Sequence, residues 1–507
     1  MSPGPSLDGA RSLSSSEAAA FDALQDRLVA LWPAIGAPTD ADKTMVAVPS
    51  VSMDFPPELG PLIPAYEERF LFLMFLLAQP RARVVYVTAQ PVSPRILDYY
   101  LSMIPGVDDL SSVRTRLAMV SIGDPSARPL TAKILERPRT LARIRELMGD
   151  PETAHIVPFA TTELEERLAV ALGIPMFGAS QKVLRHGTKS GSRRIFEAEG
   201  VNHPRGSADL SSLDDIVAAV QSLVNSSSPP TQLVLKLNEG IGGFGNAIVD
   251  VDGASSEQQI RDRVMALKPI GDMHDPTGFL ELFAAKGGAV EERVTGTDIR
   301  SPSVQLRISP GGDVELLSTH DQILGGAEGQ SYFGARFPAD AAYAQAIASE
   351  ADKVGRRLAT EGVIGRLAVD FVVVATDHTW ETYAIEINIR KGGTTHPYLT
   401  MQLLTNGSYD ADSGSFLCST GTKHYVATDH LEGEGFSKLT SDDLLDLVEN
   451  EGLRWDPVTE TGIVFHMISA LPAAGRIGLT AIDNSAQGAD ELHALVERVL
   501  SKAAREV

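Results

Sequence analysis

The stretch "RLAVDFVVVATDHTWETYAIEINIR" (Arg366–Arg390) contains two strand-like segments joined by a short polar turn. Apolar, β-branched and aromatic residues dominate both segments, which is typical of paired strands. We predict an antiparallel hairpin centred near His378, in which Asp370 lies directly opposite Glu386. Opposed like charges destabilise a sheet, so a cation held between the two carboxylates would explain this pairing.

Three polar residues on the second strand are expected to share one face of the sheet. Glu386, Asn388 and Arg390 alternate along the strand, and alternate side chains project the same way. Asp370, Glu386 and Asn388 offer only oxygen ligands, which Mg²⁺ prefers and zinc does not. We therefore predict a magnesium site, with Arg390 stabilising charge that develops on a transferred phosphoryl or acyl group. The alternative is a solvated sheet face with one inward-facing glutamate.

The glycine-rich "GIGGFG" (Gly240–Gly245) matches the dinucleotide-binding fingerprint, which by itself is a weak signal. That fingerprint requires a helix after the loop, but the following "NAIVDVDG" alternates as a strand does. The pattern predicts a hairpin lid whose glycines approach phosphate groups closely. Lys236, in the strand before the loop, would then bind the same phosphates. The alternative is an exposed lysine on an alternating strand.

Composition narrows the class of protein. A chain of 507 residues with 43% hydrophobic content predicts two to four domains with large cores. The formal net charge of −22 argues against a nucleic-acid partner. The single cysteine, Cys418, excludes a disulfide framework and fits a reducing compartment. The first residues lack the apolar segment of a signal peptide, and the longest apolar run (Phe70–Ala78) is about half a membrane span. We expect a cytoplasmic protein without a membrane partner, with that run forming a buried helix.

Together these features resemble the ATP-grasp superfamily over about residues 186–400. The resemblance rests on a lysine before a glycine-rich hairpin and on a late Asp followed by Glu-x-Asn. It implies an α/β (α+β) fold, with a disordered tail at 1–19 and a Rossmann-like pre-ATP-grasp domain at 20–180. An ATP-grasp core of two subdomains at 181–403, with its lid subdomain at about 190–296, would precede a small α+β domain at 404–507. Residues from about Ser14 to Ile35 also have a helical pattern, with Ser14 and Glu17 at the spacing of a capping box.

A narrower resemblance, to the pheganomycin-type peptide ligases, covers nearly the whole chain. It is carried by "SIGDPSARPLTAKILERP", "GTKSGSRRIFEAEGV", "HDQILGG", "INIRKGGTTHP" and the C-terminal "GIVFHMISAL" with "GRIGLTAI". It implies ATP-dependent amide-bond formation through an acyl-phosphate, with two Mg²⁺ ions. The substrates would be an amino-acid-like carboxylic acid and an amine or peptide acceptor. A homodimer is left open.

The resemblance also implies roles for particular residues. The ATP-binding set would be Lys189, Lys236, Gly242, Gly243, Phe244, Gly245, Glu291, Glu292, Val294 and Asp298. The catalytic set would be Arg390, Lys236 and Arg366, although some relatives carry that last arginine at the position of Ala368. We expect a substrate-side loop over His320–Gly334, and the substrate set would be His320, Gln322, Tyr332, Arg390 and His396. The alternatives are a plain surface turn for that loop, and a loop histidine capped by Pro397 for His396.

Three other functions compete with a ligase. A small-molecule kinase on the same fold would phosphorylate a hydroxyl group, and Arg390 with "KGGTTHP" favours the ligase over it. An oxidoreductase would use the glycine fingerprint, but the strand after the glycines argues against it. A non-catalytic ATP-binding module would not need Lys236, Asp370, Glu386 and Asn388 together.

Overall fold

The computed structural model describes residues 12–52, 60, 62–107, 109–240, 245–270, 275–325 and 331–506. Its α-helices are α1 (Ser15–Ile35), α2 (Ile63–Glu68), α3 (Pro94–Leu101), α4 (Leu110–Arg114), α5 (Leu130–Leu135), α6 (Pro138–Met148), α7 (Glu163–Leu172), α8 (Lys189–Glu199), α9 (Leu213–Val224), α10 (Glu257–Met265), α11 (Pro276–Lys286), α12 (Ala341–Thr360), α13 (Thr395–Thr405), α14 (Ser441–Asn450), α15 (Ala470–Ala474) and α16 (Ala486–Glu506). Short 3₁₀ helices cover Leu71–Ala78, Pro151–Thr153, Gln181–Gly187 and Phe436–Lys438.

The N-terminal part is a parallel α/β layer. Its strands are β1 (Lys43–Val48), β2 (Ala82–Thr88), β3 (Leu117–Ser121) and β4 (Ala154–Pro158), in the order β3-β2-β1-β4. The predicted apolar run, Leu71–Ala78, is buried as expected but forms a 3₁₀ helix. Helix α1 begins with the predicted capping box between Ser14 and Glu17. Residues 15–19 are therefore helical, and the prediction of a tail as far as residue 19 is wrong there.

A second, antiparallel sheet follows in the chain. It contains β5 (Gly206–Leu210), β6 (Gln232–Leu237), β7 (Asn246–Asp250), β8 (Lys268–Pro269) and β9 (Gly288–Glu292), in the order β5-β9-β6-β7-β8. The segment after the glycine loop is strand β7, which pairs with β6. The predicted strand, loop and strand are confirmed, and the dinucleotide fingerprint lacks its helix.

The largest sheet has nine strands. They are β10 (Ile299–Arg300), β11 (Pro302–Ile308), β12 (Val314–Gly325), β13 (Ser331–Phe337), β14 (Gly365–Ala375), β15 (Trp380–Asn388), β19 (His424–Glu432), β20 (Gly462–His466) and β21 (Arg476–Asp483). A small sheet of β16 (Ser408–Asp410), β17 (Ser415–Cys418) and β18 (Gly421–Thr422) lies between β15 and β19 in the chain. Because β13 pairs with β19, the predicted C-terminal domain continues the central sheet.

The same continuity appears in the packing. One apolar cluster contains Phe72 and Tyr100 from the N-terminal layer, Tyr398 from α13, and Phe465 from β20. All four side chains are almost fully buried. The N-terminal layer, the central sheet and the C-terminal strands therefore share one core, which fixes the site residues relative to one another.

Two sequence predictions fail in this part of the fold. Residues 320–325 and 331–334 belong to β12 and β13, so the predicted loop is a strand pair, and residues 326–330 lie outside the described residues. His396 lies in the first turn of α13, so the loop alternative is also wrong. Within the described residues, no helix is both long and apolar enough to cross a membrane.

Candidate active site

The carboxylate hairpin, β14 with β15, carries the predicted metal ligands. Asp370 lies opposite Glu386 and Ala368 opposite Asn388, so the predicted register is confirmed. Asp370 accepts hydrogen bonds from Gln322 Nε2 (3.0 Å) and Asn388 Nδ2 (2.8 Å). The structure therefore brings together the predicted ligands and one of the predicted substrate residues.

The electrostatics of the hairpin favour a cation. Burial, and then the charge of Glu386, raise the pKa of Asp370 to about 6. Glu386 forms an ion pair with Lys189, whose ammonium group supplies the positive charge. Oxygen donors, opposed carboxylates and an internal lysine in the position of a counter-ion together fit a Mg²⁺ site.

Helix α8 places Lys189 at this point. Its N-cap, Thr188, accepts a hydrogen bond from Gly191, so the helix begins at Lys189 itself. Ser192 Oγ accepts from Ile387 N on β15 (3.0 Å), and Ser190 N donates to Asn238 Oδ1 (3.0 Å) just after β6. The helix therefore contacts both the carboxylate hairpin and the strand that bears the second lysine.

The second predicted lysine lies in a buried ion cluster. Lys236 Nζ lies 2.5 Å from Glu291 Oε2, and Arg193 Nη1 lies 3.2 Å from Glu291 Oε1. Burial alone would raise the pKa of Glu291, but Lys236 and Arg193 hold it below the ordinary value. Lys236 is 7% exposed, so the alternative of an exposed lysine is wrong. Arg193 was missed, although it lies one helical turn after Lys189 in the sequence.

The remaining predicted nucleotide residues are less tightly grouped. Gly245 has a φ of +95° and its carbonyl accepts from Leu237 N, as the start of β7 requires. The predicted ligands Gly242, Gly243 and Phe244 lie outside the described residues. Glu292 pairs with Arg205, and Val294 is half-buried just beyond β9.

Asp298 lies next to the turn of the hairpin, away from the end that carries the predicted metal ligands. It is exposed and its carbonyl accepts from Ala375 N at the end of β14. Asp370 lies five positions earlier on that strand, about 16 Å away along it. The structure gives Asp298 no contact with the predicted metal ligands.

Arg390 and Tyr332 lie beside the carboxylate hairpin. Burial lowers the pKa of Arg390, while the charges of Glu386 and Asp370 act in the opposite direction. The charged groups that act on Tyr332 are Asp429, Arg69 and Asp370. Asp370 belongs to the hairpin, whereas Asp429 and Arg69 belong to a second polar group.

That second group, the Asp429 cluster, consists of Arg69, His396, Asp429 and His466. Asp429 Oδ2 lies 2.6 Å from Arg69 Nη1, and Oδ1 lies 2.7 Å from His466 Nε2 and 3.3 Å from His396 Nε2. Burial would raise the pKa of Asp429, but Arg69 and then His396 hold it well below the ordinary value. Arg69 comes from the N-terminal layer and His396 from α13, whereas Asp429 and His466 come from the C-terminal strands.

The Asp429 cluster also offers metal ligands. One atom from each of His396, Asp429 and His466 lies within 4.8 Å of the others. The second carboxylate oxygen is held by Arg69, however, and Arg476 Nε donates to the Asp429 carbonyl (2.6 Å). A divalent cation would add to these two guanidinium charges in a buried site, which is costly. The carboxylate hairpin is therefore the better cation site.

Two predicted residues are not brought to the site. His320 is fully buried among Phe337, Tyr398 and Tyr425, and its Nε2 lies 2.7 Å from the Tyr425 hydroxyl. His320 and Gln322 are two positions apart on β12 and share a face of the sheet, but only Gln322 reaches the carboxylate hairpin, because His320 packs among aromatic side chains of the core.

Arg366 is the second such residue. It lies four positions before Asp370 on β14, about 13 Å along the strand. Its charged neighbours are Arg307 and Glu315, and neither belongs to the hairpin site. Burial lowers the pKa of Arg366 to about 10.

Three members of the Asp429 cluster were missed by sequence reasoning. Arg69 directly precedes the apolar run Phe70–Ala78, Asp429 lies at the end of "YVATD", and His466 lies inside "GIVFHMISAL". The available signal was a charged or imidazole side chain within a buried run, which is rare without a partner. His466 also lies inside "GIVFHMISAL", one of the segments that carry the resemblance.

Comparison with known proteins defines the class. Residues 182–269 and 273–412 match the family described as IQCH-like, ATP-grasp, and residues 74–174 match the Pre ATP-grasp domain. Residues 443–496 match the PGM1 C-terminal domain. The chain therefore contains ATP-grasp family domains, as the hairpin and the glycine loop predicted. The C-terminal match supports the narrower resemblance to the pheganomycin-type ligases.

Two curated proteins are similar to this chain. L-propargylglycine–L-glutamate ligase of Streptantibioticus cattleyicolor is 29% identical over 436 residues, which cover 83% of this chain and 86% of that protein. IQ motif-containing protein H of Danio rerio is 24% identical over 440 residues, which cover 76% of this chain but only 41% of the relative.

Solved structures show the same fold. The biotin carboxylase–βγ-ATP complex from Campylobacter jejuni aligns with a TM-score of 0.52 at 13% identity, covering 92% of this chain and 96% of that one. The ADP complex of N5-carboxyaminoimidazole ribonucleotide synthetase aligns with a TM-score of 0.51 at 13% identity, covering 91% and 98%. The predicted α/β fold class is confirmed.

Proposed function

We propose that this protein is an ATP-dependent carboxylate–amine ligase that forms an amide bond through an acyl-phosphate. The observation that supports this proposal most directly is the carboxylate hairpin, in which Asp370 faces Glu386 beside Lys189 and Arg390. Two carboxylates and two cationic side chains of this kind suit phosphoryl transfer from a nucleotide to an acid. The similarity to an amino-acid ligase over most of both chains supports the same reading.

The nucleotide is expected to bind between the antiparallel lid sheet and the carboxylate hairpin. Lys236 and Lys189 would leave their carboxylate partners and bind phosphate oxygens, because phosphates are the stronger anionic partners. The backbone at Glu291 and Val294 would meet the adenine edge. Glu291 would keep Arg193 as its partner after Lys236 moves.

Mg²⁺ fits the oxygen donors of Asp370, Glu386 and Asn388, and when bound it would neutralise charge on the transferred phosphate. Arg390 would orient the acid and stabilise the oxyanion that forms when the amine attacks the acyl-phosphate. Phosphate would leave with the bonding electrons of the C–O bond, and the amine would lose a proton. No covalent protein nucleophile is needed, and burial raises the pKa of Cys418, which keeps its thiol unreactive.

A trapping assay tests this proposal. The protein is incubated with ATP, Mg²⁺, pools of amino acids as acids, and hydroxylamine as the acceptor. A ligase is expected to release ADP and inorganic phosphate and to form a hydroxamate. A stable phosphorylated product without hydroxamate would show a kinase instead. ADP release that does not depend on the added acid would also contradict the ligase.

A further inference from the structure

The Asp429 cluster contains a cationic N–H donor without an acceptor. Arg69 is 6% exposed and its Nη1 is engaged by Asp429, but its buried Nε has no hydrogen-bond partner within the described part of the chain. The guanidinium group also lies 5.1 Å from the Tyr66 ring centroid and 5.4 Å from that of Phe159. An unpaired donor on a buried cation is costly, and it becomes favourable when an anion binds it.

A second unpaired donor lies on the residue after Asp429. Arg476 Nη2 lies 2.8 Å from His430 Nε2, and because arginine only donates, His430 Nε2 must accept. Neutral His430 therefore carries its proton on Nδ1, which is buried and without a partner among the described residues. Burial and the Arg476 charge lower the pKa of His430 to about 4, so the ring is neutral at pH 7.

A β-bulge explains why two adjacent residues, Asp429 and His430, both lie outside the regular strand pairing. The pairing of β19 with β21 shifts register between Thr428 and Leu431, so Asp429 and His430 lie in the irregular segment. Bulges redirect side chains and occur next to active sites. Phe333 stacks on the His430 ring at 4.7 Å, which fixes its orientation beside Tyr332.

These donors lie on the substrate side of the proposed reaction centre. Arg69 lies 2.6 Å from Asp429, which lies 3.3 Å from His396 Nε2, and His396 is only six residues after Arg390 in the chain. A Cβ atom built on Gly393, three residues after Arg390, would lie 2.4 Å from Tyr332 Cε1. Strand β13 and the turn after β15 therefore connect His430 with Arg390, through Phe333 and Tyr332 on one side and Gly393 on the other.

We propose that Arg69, assisted by His430, binds a carboxylate of the acceptor substrate, so that the acceptor is an amino acid with its carboxylate next to the reacting amine. This inference rests on the proposed ligase function. In an α-amino acid the carboxylate oxygens lie about 3–4 Å from the amine nitrogen. An acceptor whose nitrogen attacks near Arg390 would place this group on the Arg69 side. A donor acid with a single carboxylate uses it in the reaction, so such a donor does not supply this anion.

The test uses the wild-type protein and compares pairs of acceptors, each an amino acid and its α-amide. Each proteinogenic amino acid and its α-amide are offered as acceptors, with ATP, Mg²⁺ and the acid identified by hydroxamate formation. We expect kcat/KM for the acid form to exceed that for the amide by at least about 10-fold, because the neutral amide carbonyl accepts a weaker hydrogen bond from Arg69 than a carboxylate does. The amide amine is the less basic and is more often unprotonated, so this preference would oppose intrinsic reactivity.

Variants identify the residue responsible. Arg69→Met is expected to reduce the discrimination between acid and amide to less than about 3-fold. Arg116→Met is the control, because Arg116 donates to the carbonyls of Leu77, Gln79 and Ala82 within the N-terminal layer. It should keep the wild-type discrimination. If Arg69→Met does not fold, the comparison of acid and amide acceptors with the wild-type protein still tests the proposal.

The possible results separate the two proposals. Absence of hydroxamate in the wild type would overturn the ligase function itself. Hydroxamate formation with equal use of acids and amides, with use of carboxylate-free amines only, or with no amino-acid acceptor at all would leave the ligase function intact and overturn the Arg69 proposal.

Discussion

Glu386 is the single residue on which the proposed phosphoryl-transfer site depends most. It is paired with Lys189 and faces Asp370 across the hairpin. We expect Glu386→Ala to reduce ADP release and hydroxamate formation by at least about 100-fold, because a metal ligand is lost. Near-normal turnover in this variant would show that the metal site lies elsewhere.

A control on the same strand separates this effect from a general effect on the sheet. Glu381 is exposed on β15 and accepts a hydrogen bond from Tyr383 (2.9 Å). Glu381→Ala removes an equal charge from the same element and should keep turnover within about 2-fold of wild type.

Lys236 tests the nucleotide side of the site. Lys236→Gln should weaken binding of ADP with Mg²⁺, measured by calorimetry, by about 10- to 100-fold, because a charge-assisted hydrogen bond to phosphate is lost. The fold is expected to survive because Arg193 still pairs with Glu291. Lys182→Gln, which removes an exposed lysine paired with Asp22, is the matched control and should not change ADP affinity.

At the scale of elements, the hairpin was predictable because its register follows from local sequence. Two β-rich segments and a short turn place Asp370 opposite Glu386 without any knowledge of the remaining chain. The position of α8 was not predictable in this way. Its contacts with Ile387 and Asn238 join segments that are far apart in sequence, and no local pattern encodes them.

The failure at β12 has a related cause. His320–Gly325 reads as polar and glycine-rich, so it was interpreted as a loop. It is a strand because it lies between β11 and β13 in the sheet, where neighbours on both sides satisfy its backbone. Tertiary pairing outweighed local propensity, and His320 therefore faces the core instead of a substrate.

The turn after β15 gives a prediction at this scale. In Gly393→Ala the new methyl group would overlap the Tyr332 ring, whose Cε1 and Cζ lie 2.4 and 2.6 Å from the Cβ position. We expect kcat/KM to fall by at least about 10-fold, because Tyr332 must move away from the substrate side. Gly392→Ala is the matched control, because nothing lies within 4 Å of its Cβ position. Equal activity of the two variants would show that Tyr332 does not line the site.

On the scale of the whole molecule, the three predicted regions are joined through buried polar groups that the sequence does not pair. Glu68, on α2, accepts a hydrogen bond from Ser469 N (3.0 Å) beside the C-terminal strands. Arg69 reaches Asp429, 360 positions later in the chain. Such pairs depend on how the layers pack, and packing is the step that composition and periodicity leave undetermined.

The pH dependence of stability follows from one of these groups. Burial raises the pKa of Glu68 from 4.5 to about 7, so the folded state holds its proton more tightly than the unfolded state does. The unfolded chain therefore ionises first as pH rises, and Glu68 lowers stability progressively from about pH 4.5 to 7. Relative to wild type, Glu68→Gln should gain about 3 kcal/mol of unfolding free energy between pH 5 and pH 8.

Urea unfolding at several pH values measures this difference. Glu434→Gln, at an exposed position, should run parallel to the wild type across the same range. A parallel profile for Glu68→Gln as well would show that this carboxyl group is ionised in the folded protein.

The Asp429 cluster has a consequence for the synthesis of the protein. A nascent chain that ends before β20 already holds every predicted nucleotide and metal ligand, but it lacks His466 and the strand that supports Asp429. The part of the site assigned to the acceptor can therefore form only after β20 and β21 have been synthesised. Ribosome-bound chains arrested before residue 462 should therefore be unable to join the acid to an amine.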